Sequence, residues 1–344
     1  MHSLRAACAA LVVLLASPAQ GQAPTGAPFA TSQAPEYVYR NDFWRNLHHT
    51  LYAFASVHPA AGRVRRLRLT PADIAVRDAL SGDEAAAWEE AVRWYATNFS
   101  GRNLLFDDEM VAIGDALSRS GDAQRLAAPQ LPEELRGILM RAGPIYRTRW
   151  WPAHRRANDA WRAAVAPLLM AHGAEAAARL SRLYGVDWPD QPIEVTLTPY
   201  ANSMGAYTSL GPVRITLATS DSSYQGDAAF EMLLHEAGHG LVAPLRERLA
   251  EIVSIETAAP GARSEAVRRD LWHEVHFYLA GKVVAETMDG YVPYADRNRL
   301  WDLAWPGPDR EALARHLDPY LAGRTTLDSA LGALVRDLAA TPAG

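Results

Sequence analysis

Cysteine and lysine are almost missing from this chain of 344 residues. The one cysteine is Cys8 and the one lysine is Lys282. Because the chain contains no thiol beyond residue 8, disulfide bonds are excluded as a source of stability for an exported form. The fold must therefore be held by its nonpolar core, and 49% hydrophobic residues are enough for one or two domains.

Three further absences exclude classes of function. No GxxxxGK[ST] sequence is present, so the chain lacks the phosphate-binding loop of an ATP-linked protease. No apolar run after residue 21 is long enough to cross a bilayer, which argues against an intramembrane enzyme. The formal net charge is −5, from 34 basic and 39 acidic residues, and it gives no reason to expect nucleic acid or an anionic membrane as a partner.

Residues 1–21 have the pattern of a secretion signal. Arg5 supplies a basic start, residues 6–16 are apolar, and small residues at 17–19 offer a cleavage site. Residues 22–36 are rich in Pro, Ala, Gly and Gln and are interpreted as a flexible linker. We therefore expect a periplasmic or secreted protein, cleaved after residue 19 or 21, with no stable membrane span once the signal is removed.

The residues from His235 to His239 spell HEAGH, which matches the HExxH zinc signature. Two histidines four residues apart lie on one face of a helix, so both imidazoles can reach one Zn²⁺. Glu236 projects about 100° away and can take a proton from a metal-bound water without occupying the metal. The motif predicts His235 and His239 as zinc ligands and Glu236 as general base. The alternative is an amphipathic core helix whose histidines bind nothing.

The flanking residues are typical of a buried helix. Asp227 is placed to cap its amino terminus, and Pro244 marks where it should weaken or end. Gly238 inside the helix costs about 1 kcal/mol relative to alanine. We therefore expect a packing reason for Gly238, such as the close approach of another element.

Two β-branched segments precede the motif, at residues 193–200 and 213–219, with a Gly/Asn/Ser-rich stretch between them. We expect them to form an antiparallel pair. The order of two strands followed by an HExxH helix resembles that of the zincin metallopeptidases. The resemblance implies an edge strand that pairs with the extended backbone of a substrate, and it points to residues 202–207 as the wall of the cleft.

A catalytic zinc needs a third protein ligand. The metzincin pattern HExxHxxGxxH is absent, because residues 240–245 have no histidine or glycine in register. Gluzincins take a glutamate from a later helix, and the helical pattern of residues 264–280 carries His273, Glu274 and His276 among apolar residues. A charge buried in such a setting needs a partner, and a metal is one. We favour Glu274 as the third ligand, with His273 as the alternative.

The gluzincin pattern ExxxD is incomplete, because Tyr278 stands where its aspartate would be. This departure leaves the third ligand open. Glu251 and Glu256 lie closer to the motif in the chain, but at the tail or exit of its helix. Asp270, one turn before Glu274, can orient either candidate ligand without touching the metal.

Zincin sites also use a donor that stabilises the oxyanion formed as water attacks the carbonyl. None of the nearby residues has a diagnostic spacing for this role. The candidates are Tyr278, His276, Tyr291 and Tyr294.

Helical periodicity dominates residues 37–185, and the strands and the motif lie in residues 186–344. We expect an α+β fold that is predominantly helical, with a small antiparallel sheet next to the active-site helix. The predicted function is that of a gluzincin-like zinc metallopeptidase that hydrolyses peptide bonds in a peptide or protein substrate. The alternative is a non-catalytic metal-binding or helical binding protein of the cell envelope on a zincin scaffold. The sequence does not indicate the oligomeric state.

The exported chain is expected to begin near Gln20 or Gln22, because the small residues at positions 17–19 end the apolar segment. Amino-terminal sequencing of protein recovered from the periplasm of a bacterial host measures this. An intact Met1 on protein found in the cytoplasm would contradict the prediction.

Overall fold

The computed structural model describes residues 35–258, 262–305 and 309–340. These residues form thirteen α-helices and four β-strands, so the expected α+β, predominantly helical fold is confirmed. The predicted signal and most of the predicted linker lie outside the described residues. Within the described part of the chain, no helix is both long enough and apolar enough to cross a membrane.

The helices alternate with short connections and flank one small sheet. The strands are β1 (Tyr37–Arg40), β2 (Ile193–Thr198), β3 (Ala206–Ser209) and β4 (Arg214–Ala218). The first helices are α1 (Phe43–Val57), α2 (Pro71–Asp78), α3 (Gly82–Asn98), α4 (Asp108–Ser120), α5 (Glu133–Arg149) and α6 (Trp151–Tyr184). After the sheet come α7 (Asp227–Gly238), α8 (Ala243–Glu256), α9 (Leu271–Thr287), α10 (Tyr294–Arg297), α11 (Leu300–Leu303), α12 (Asp309–Leu321) and α13 (Leu327–Ala340).

The sheet is mixed, with strand order β1-β2-β4-β3. β1 and β4 both run parallel to β2, with Tyr37 opposite Ile193. β3 runs antiparallel to β4, with Ala206 opposite Leu217, and forms one edge of the sheet. An edge strand keeps one row of backbone N–H and C=O groups free for another chain.

The expected antiparallel pairing of residues 193–200 with residues 213–219 is wrong. These segments are neighbours, as β2 and β4, but they are parallel. The reason is that the stretch between them supplies β3, which forms the hairpin with β4, and the chain crosses over before that hairpin begins. β1 was also not expected, since residues 37–185 were interpreted as helical.

Nonpolar side chains form two buried clusters that share helix α6. The first cluster lies among α1, α3, α4 and α5 and includes the start of α6 at Trp150 and Trp151. The second lies between the later part of α6, the sheet and the helices from α7 onward. Helix α7 packs against α6, α9, β3 and β4, so the HExxH segment lies where the sheet meets the second cluster.

A polar cross-link on α6 joins the two halves of the fold. The fully buried Asn158 donates from Nδ2 to Asn46 Oδ1 at 3.1 Å and to the Leu197 carbonyl at 3.2 Å. Its Oδ1 accepts a hydrogen bond from Thr219 Oγ1. One side chain therefore connects α6 with α1, β2 and the residue after β4.

Replacing this cross-link tests its contribution to stability. Asn158→Ala is expected to lower the free energy of unfolding by about 2–3 kcal/mol, because buried polar groups on three elements lose partners. Asn98→Ala, at an exposed position near the end of α3, is the control and should change it by less than about 0.5 kcal/mol. Urea unfolding followed by circular dichroism measures both. Equal urea concentrations at the midpoint of unfolding for the two variants would contradict the prediction.

Candidate metal centre

The first four residues of the HExxH segment form the last turn of α7, and His239 follows directly. The apolar residues of this helix, Phe230, Leu233 and Ala237 among them, are fully buried, which fixes its rotation in the core. The helix begins after Gly226, with Asp227 as its first residue rather than its cap, and it ends at Gly238, six residues before Pro244.

His239 follows the last helical residue but keeps helical backbone angles, φ −56° and ψ −24°. The four-residue spacing therefore still brings the imidazoles of His235 and His239 together, with ring centroids 4.9 Å apart.

Helix α9 adds two more imidazoles to this pair. The His273 ring lies 5.2 Å from the rings of both His235 and His239, and the His276 ring lies 4.4 Å from His235 and 5.0 Å from His239. Ring nitrogens of His235, His239 and His276 all lie within 4.8 Å of one another. The structure thus gathers four histidines, including both motif histidines and the predicted alternative ligand His273.

Hydrogen bonds distinguish the two histidines of α9. His276 Nδ1 is 2.7 Å from the Tyr184 hydroxyl and its Nε2 is 2.8 Å from the His235 carbonyl. Burial raises the pKa of Tyr184 well above its usual range, so the hydroxyl is protonated and donates to Nδ1. His276 Nε2 then carries the ring proton and donates to the carbonyl. Both nitrogens of His276 are therefore occupied, and a metal would have to replace one of these bonds.

His273 has the geometry of a ligand. Its Nε2 lies 3.3 Å from His235 Nε2. Two ligands of a tetrahedral zinc with Zn–N bonds of roughly 2.0–2.1 Å are separated by about 3.3 Å, so one ion can satisfy this pair. His239 and His273 are also partly exposed, whereas His235 and His276 are buried, so the centre faces solvent at His239 and His273. The three histidines whose ring nitrogens all lie within 4.8 Å of one another are His235, His239 and His276. Because both nitrogens of His276 are already hydrogen-bonded, we expect zinc to take His273 as its third ligand beside His235 and His239.

Burial keeps these imidazoles neutral. It lowers the pKa of His235 and His239 well below the usual range and the pKa of His273 to about 4. A neutral imidazole has the lone pair that a metal requires. His235 Nδ1 is buried and has no hydrogen-bond partner among the described residues.

The Glu236 carboxyl is held by the edge strand β3. Its Oε2 accepts a hydrogen bond of 2.6 Å from Thr208 Oγ1 on β3. Burial raises the pKa of Glu236 to about 7, although the Thr208 hydrogen bond opposes that shift. A pKa near neutrality suits a group that must both accept and release a proton.

The structure places Glu274 apart from the histidine cluster. Its fully buried carboxyl lies 3.7 Å from Arg268 Nε and next to Asp309. Burial, reinforced by Asp309, raises the pKa of Glu274 to about 9, so it is protonated at neutral pH. The arrangement does not support Glu274 as the third ligand. Asp270 Oδ2 accepts a hydrogen bond from Trp305 Nε1 at 3.3 Å, and not from His273.

The close approach of α9 explains the glycine at position 238, as expected from the sequence. A Cβ at this position would lie 2.5 Å from His276 Cε1, which is closer than any real contact of that kind. The glycine therefore lets α9 approach α7 closely enough for His276 to reach the His235 carbonyl.

The predicted oxyanion donors differ in position. The Tyr278 hydroxyl donates to Asp318 and the Tyr291 hydroxyl to Glu231, each over less than 3 Å. The Tyr294 hydroxyl lies 3.0 Å from Ser223 Oγ, and its ring is 6.4 Å from Phe277, which stacks on His235 at 3.7 Å. Tyr294 is thus connected to His235 through the Phe277 ring, whereas both nitrogens of His276 are already hydrogen-bonded.

Three supporting residues were missed from the sequence: Thr208, Tyr184 and Glu231. Glu231, one turn before His235, accepts from the Tyr291 hydroxyl and the Tyr294 N–H, both at 2.7 Å, and so fixes that segment against α7. Strand alternation could have indicated Thr208, since it faces the same way as Ala206. No sequence signal identifies Tyr184.

Comparisons with protein-family models, with curated proteins and with solved structures gave no match to this chain. Its function must therefore be argued from the geometry of the histidine cluster and Glu236.

Single substitutions separate ligands from supporting residues. His235→Ala, His239→Ala and His273→Ala are each expected to abolish stoichiometric zinc, because each removes one of three ligands. His276→Ala should weaken zinc binding by about 10–100-fold, as is typical when a group supporting a ligand is lost. Glu274→Gln should bind zinc as the unmodified protein does. Zinc content by mass spectrometry and competition titration with a chelator measure these effects, and loss of zinc in Glu274→Gln alongside full zinc in His273→Ala would reverse the assignment.

Proposed function

We propose that this protein is an exported zinc-dependent metallopeptidase. The observation that supports the proposal most directly is that the glutamate of the HExxH motif, Glu236, is a buried carboxyl with a pKa raised to about 7 and is held by the edge strand β3, while the two motif histidines on either side of it in the sequence cluster with their rings 4.9 Å apart. A purely structural histidine cluster would not need such a carboxyl.

The substrate would bind as an extended chain along β3. Strand addition at a free edge supplies backbone hydrogen bonds that do not depend on side-chain identity, which suits a peptide substrate. Thr208 of β3 holds Glu236 at 2.6 Å, so a peptide paired with this strand would pass close to the base. Zinc, when bound, would polarise the scissile carbonyl and make water easier to deprotonate.

Within this arrangement the side chains have distinct roles. Glu236 takes the proton of the attacking water and passes it to the amine that leaves. Thr208 orients the carboxylate through its hydroxyl. His276 holds the carbonyl of His235 and so fixes the end of α7.

A non-catalytic metal-binding protein of the cell envelope is the second candidate. The observation in its favour is that the ring nitrogens of His235, His239 and His276 all lie within 4.8 Å of one another, with the His273 ring 5.2 Å from both motif histidines, so a fourth imidazole stands beside the three. An enzyme requires one open position, and a closed sphere would exclude water.

Removing the base tests the proposal. Glu236→Gln is expected to keep zinc and the fold but to lower peptide hydrolysis by about 10²–10⁴-fold, because the amide cannot accept the proton. Cleavage of a quenched-fluorescent peptide library by the zinc-loaded protein, with chelation and zinc restoration, is the measurement. The control is Glu247→Gln on the exposed face of α8, which should leave the rate unchanged. Equal rates for Glu236→Gln and the control, or a zinc-loaded protein with four imidazole ligands and no cleavage, would favour the binding protein.

A further inference from the structure

Four arginines between α1 and α2 form a basic surface that the proposed hydrolysis does not use. Arg63, Arg65, Arg66 and Arg68 are all exposed and fall within six consecutive positions. We call these four residues the arginine strip. The whole chain has a net charge of −5 and only 34 basic residues, so this concentration runs against its overall charge.

The backbone of the strip is fixed to the fold. The Leu67 N–H donates to Ser56 Oγ at 2.9 Å, and the Thr70 N–H donates to the Tyr200 hydroxyl at 3.0 Å. Leu67 and Leu69 are partly buried against the first nonpolar cluster. Exposure alternates from Arg66 to Leu69, as in an extended chain, where residues two apart lie about 6.6 Å from each other. Arg66 and Arg68 therefore lie on one side of the chain, and Arg63 and Arg65 are likewise exposed and two residues apart.

No acidic residue among those described forms an ion pair with the strip. The two acids nearest in sequence are already engaged: Asp73 with His154 at 2.9 Å and Asp78 with Arg77 at 2.7 Å. Crowded positive charges without counterions repel one another, and an anionic partner relieves that repulsion.

The strip adjoins the start of the edge strand. Arg65 Nη1 lies 3.4 Å from Met204 Sδ. Met204 is 56% exposed and comes two residues before β3, the strand that carries Thr208. A chain paired with the edge strand β3 would therefore reach, at the Met204 end, Arg65 and the strip that contains it.

We infer that the arginine strip binds an acidic segment of the polypeptide substrate. Carboxylates two residues apart in an extended peptide repeat at the spacing of Arg66 and Arg68, and of Arg63 and Arg65, so the two surfaces are complementary in charge and, within each pair, in spacing. A short run of cations beside an edge strand fits a polypeptide better than it fits the plane of a membrane. The inference rests on the proposed function only for the position of the acidic segment relative to the base.

The test measures binding, so that it does not depend on turnover. The protein is the zinc-loaded mature chain carrying Glu236→Gln, and the probe is a fluorescein-labelled twelve-residue alanine-rich peptide with four glutamates at alternate positions. A second peptide has four glutamines instead. The strip variant replaces all four arginines by glutamine. The control variant makes the same change in charge at Arg93, Arg119, Arg125 and Arg182, which are exposed and lie elsewhere.

The glutamate peptide is expected to bind the strip variant at least about tenfold more weakly than the parent, since several exposed ion pairs act together. The control variant should bind it within about twofold of the parent, and the difference should shrink as salt is raised from 50 to 300 mM. A photo-crosslinking residue placed next to the glutamates should label residues 204–210. Equal losses in both variants, or equal binding of the glutamine peptide, would overturn the inference.

Binding to anionic vesicles distinguishes a membrane surface from an acidic peptide as the partner of the arginine strip. Strip-dependent binding to phosphatidylglycerol vesicles that is tighter than binding to the glutamate peptide would assign the strip to a membrane surface and overturn the inference. Failure of the proposed hydrolysis gives a different result: peptide binding would still depend on the strip, while the protein with Glu236 intact would cleave nothing.

Discussion

The contact between α7 and α9 at Gly238 determines the geometry of the whole centre. Because Gly238 has no side chain, His276 can approach closely enough to donate to the His235 carbonyl at 2.8 Å. Tyr184 on α6 donates a hydrogen bond to Nδ1, the other nitrogen of the His276 ring. Three helices are thereby fixed around one imidazole, and the positions of His235, His239 and His273 follow from that packing.

Burial sets the protonation of the site. Without a cation, it favours neutral imidazoles at His235 and His273 and raises the pKa of Glu236 and Glu231 to about 7. A divalent cation near the imidazoles would favour the ionised form of Glu236 and shift its pKa back down. The low polarity of the surroundings also strengthens the hydrogen bond from Thr208. A bound metal would therefore change the protonation of Glu236 as well as that of the imidazoles.

Local periodicity predicted that most of the chain is helical, although the pattern at residues 264–280 corresponds to a helix at Leu271–Thr287, and the HExxH spacing predicted the pair His235 and His239. The relative directions of strands were not predictable, because residues 193–200 and 213–219 have the same pattern whether parallel or antiparallel. The third ligand was not predictable either, since α9 is buried on most of its surface and no polar face indicates which side meets α7. His273 and Glu274 differ by about 100° in direction, and only packing decides between them. The net charge of −5 did not indicate the arginine strip, because it is a sum over the whole chain and does not show where charges cluster.

The pairing of β1 with β2 bears on the order in which the chain can fold. Tyr37 lies opposite Ile193, so the first described strand waits for a partner more than 150 positions later in the chain. Closing so long a loop is slow, because its entropy must be lost before the strand pairing compensates for it. An amino-terminal fragment that stops at α6 would have its helices but could not complete the sheet. The early strand can therefore enter the sheet only after residues 193–198 are available to pair with it.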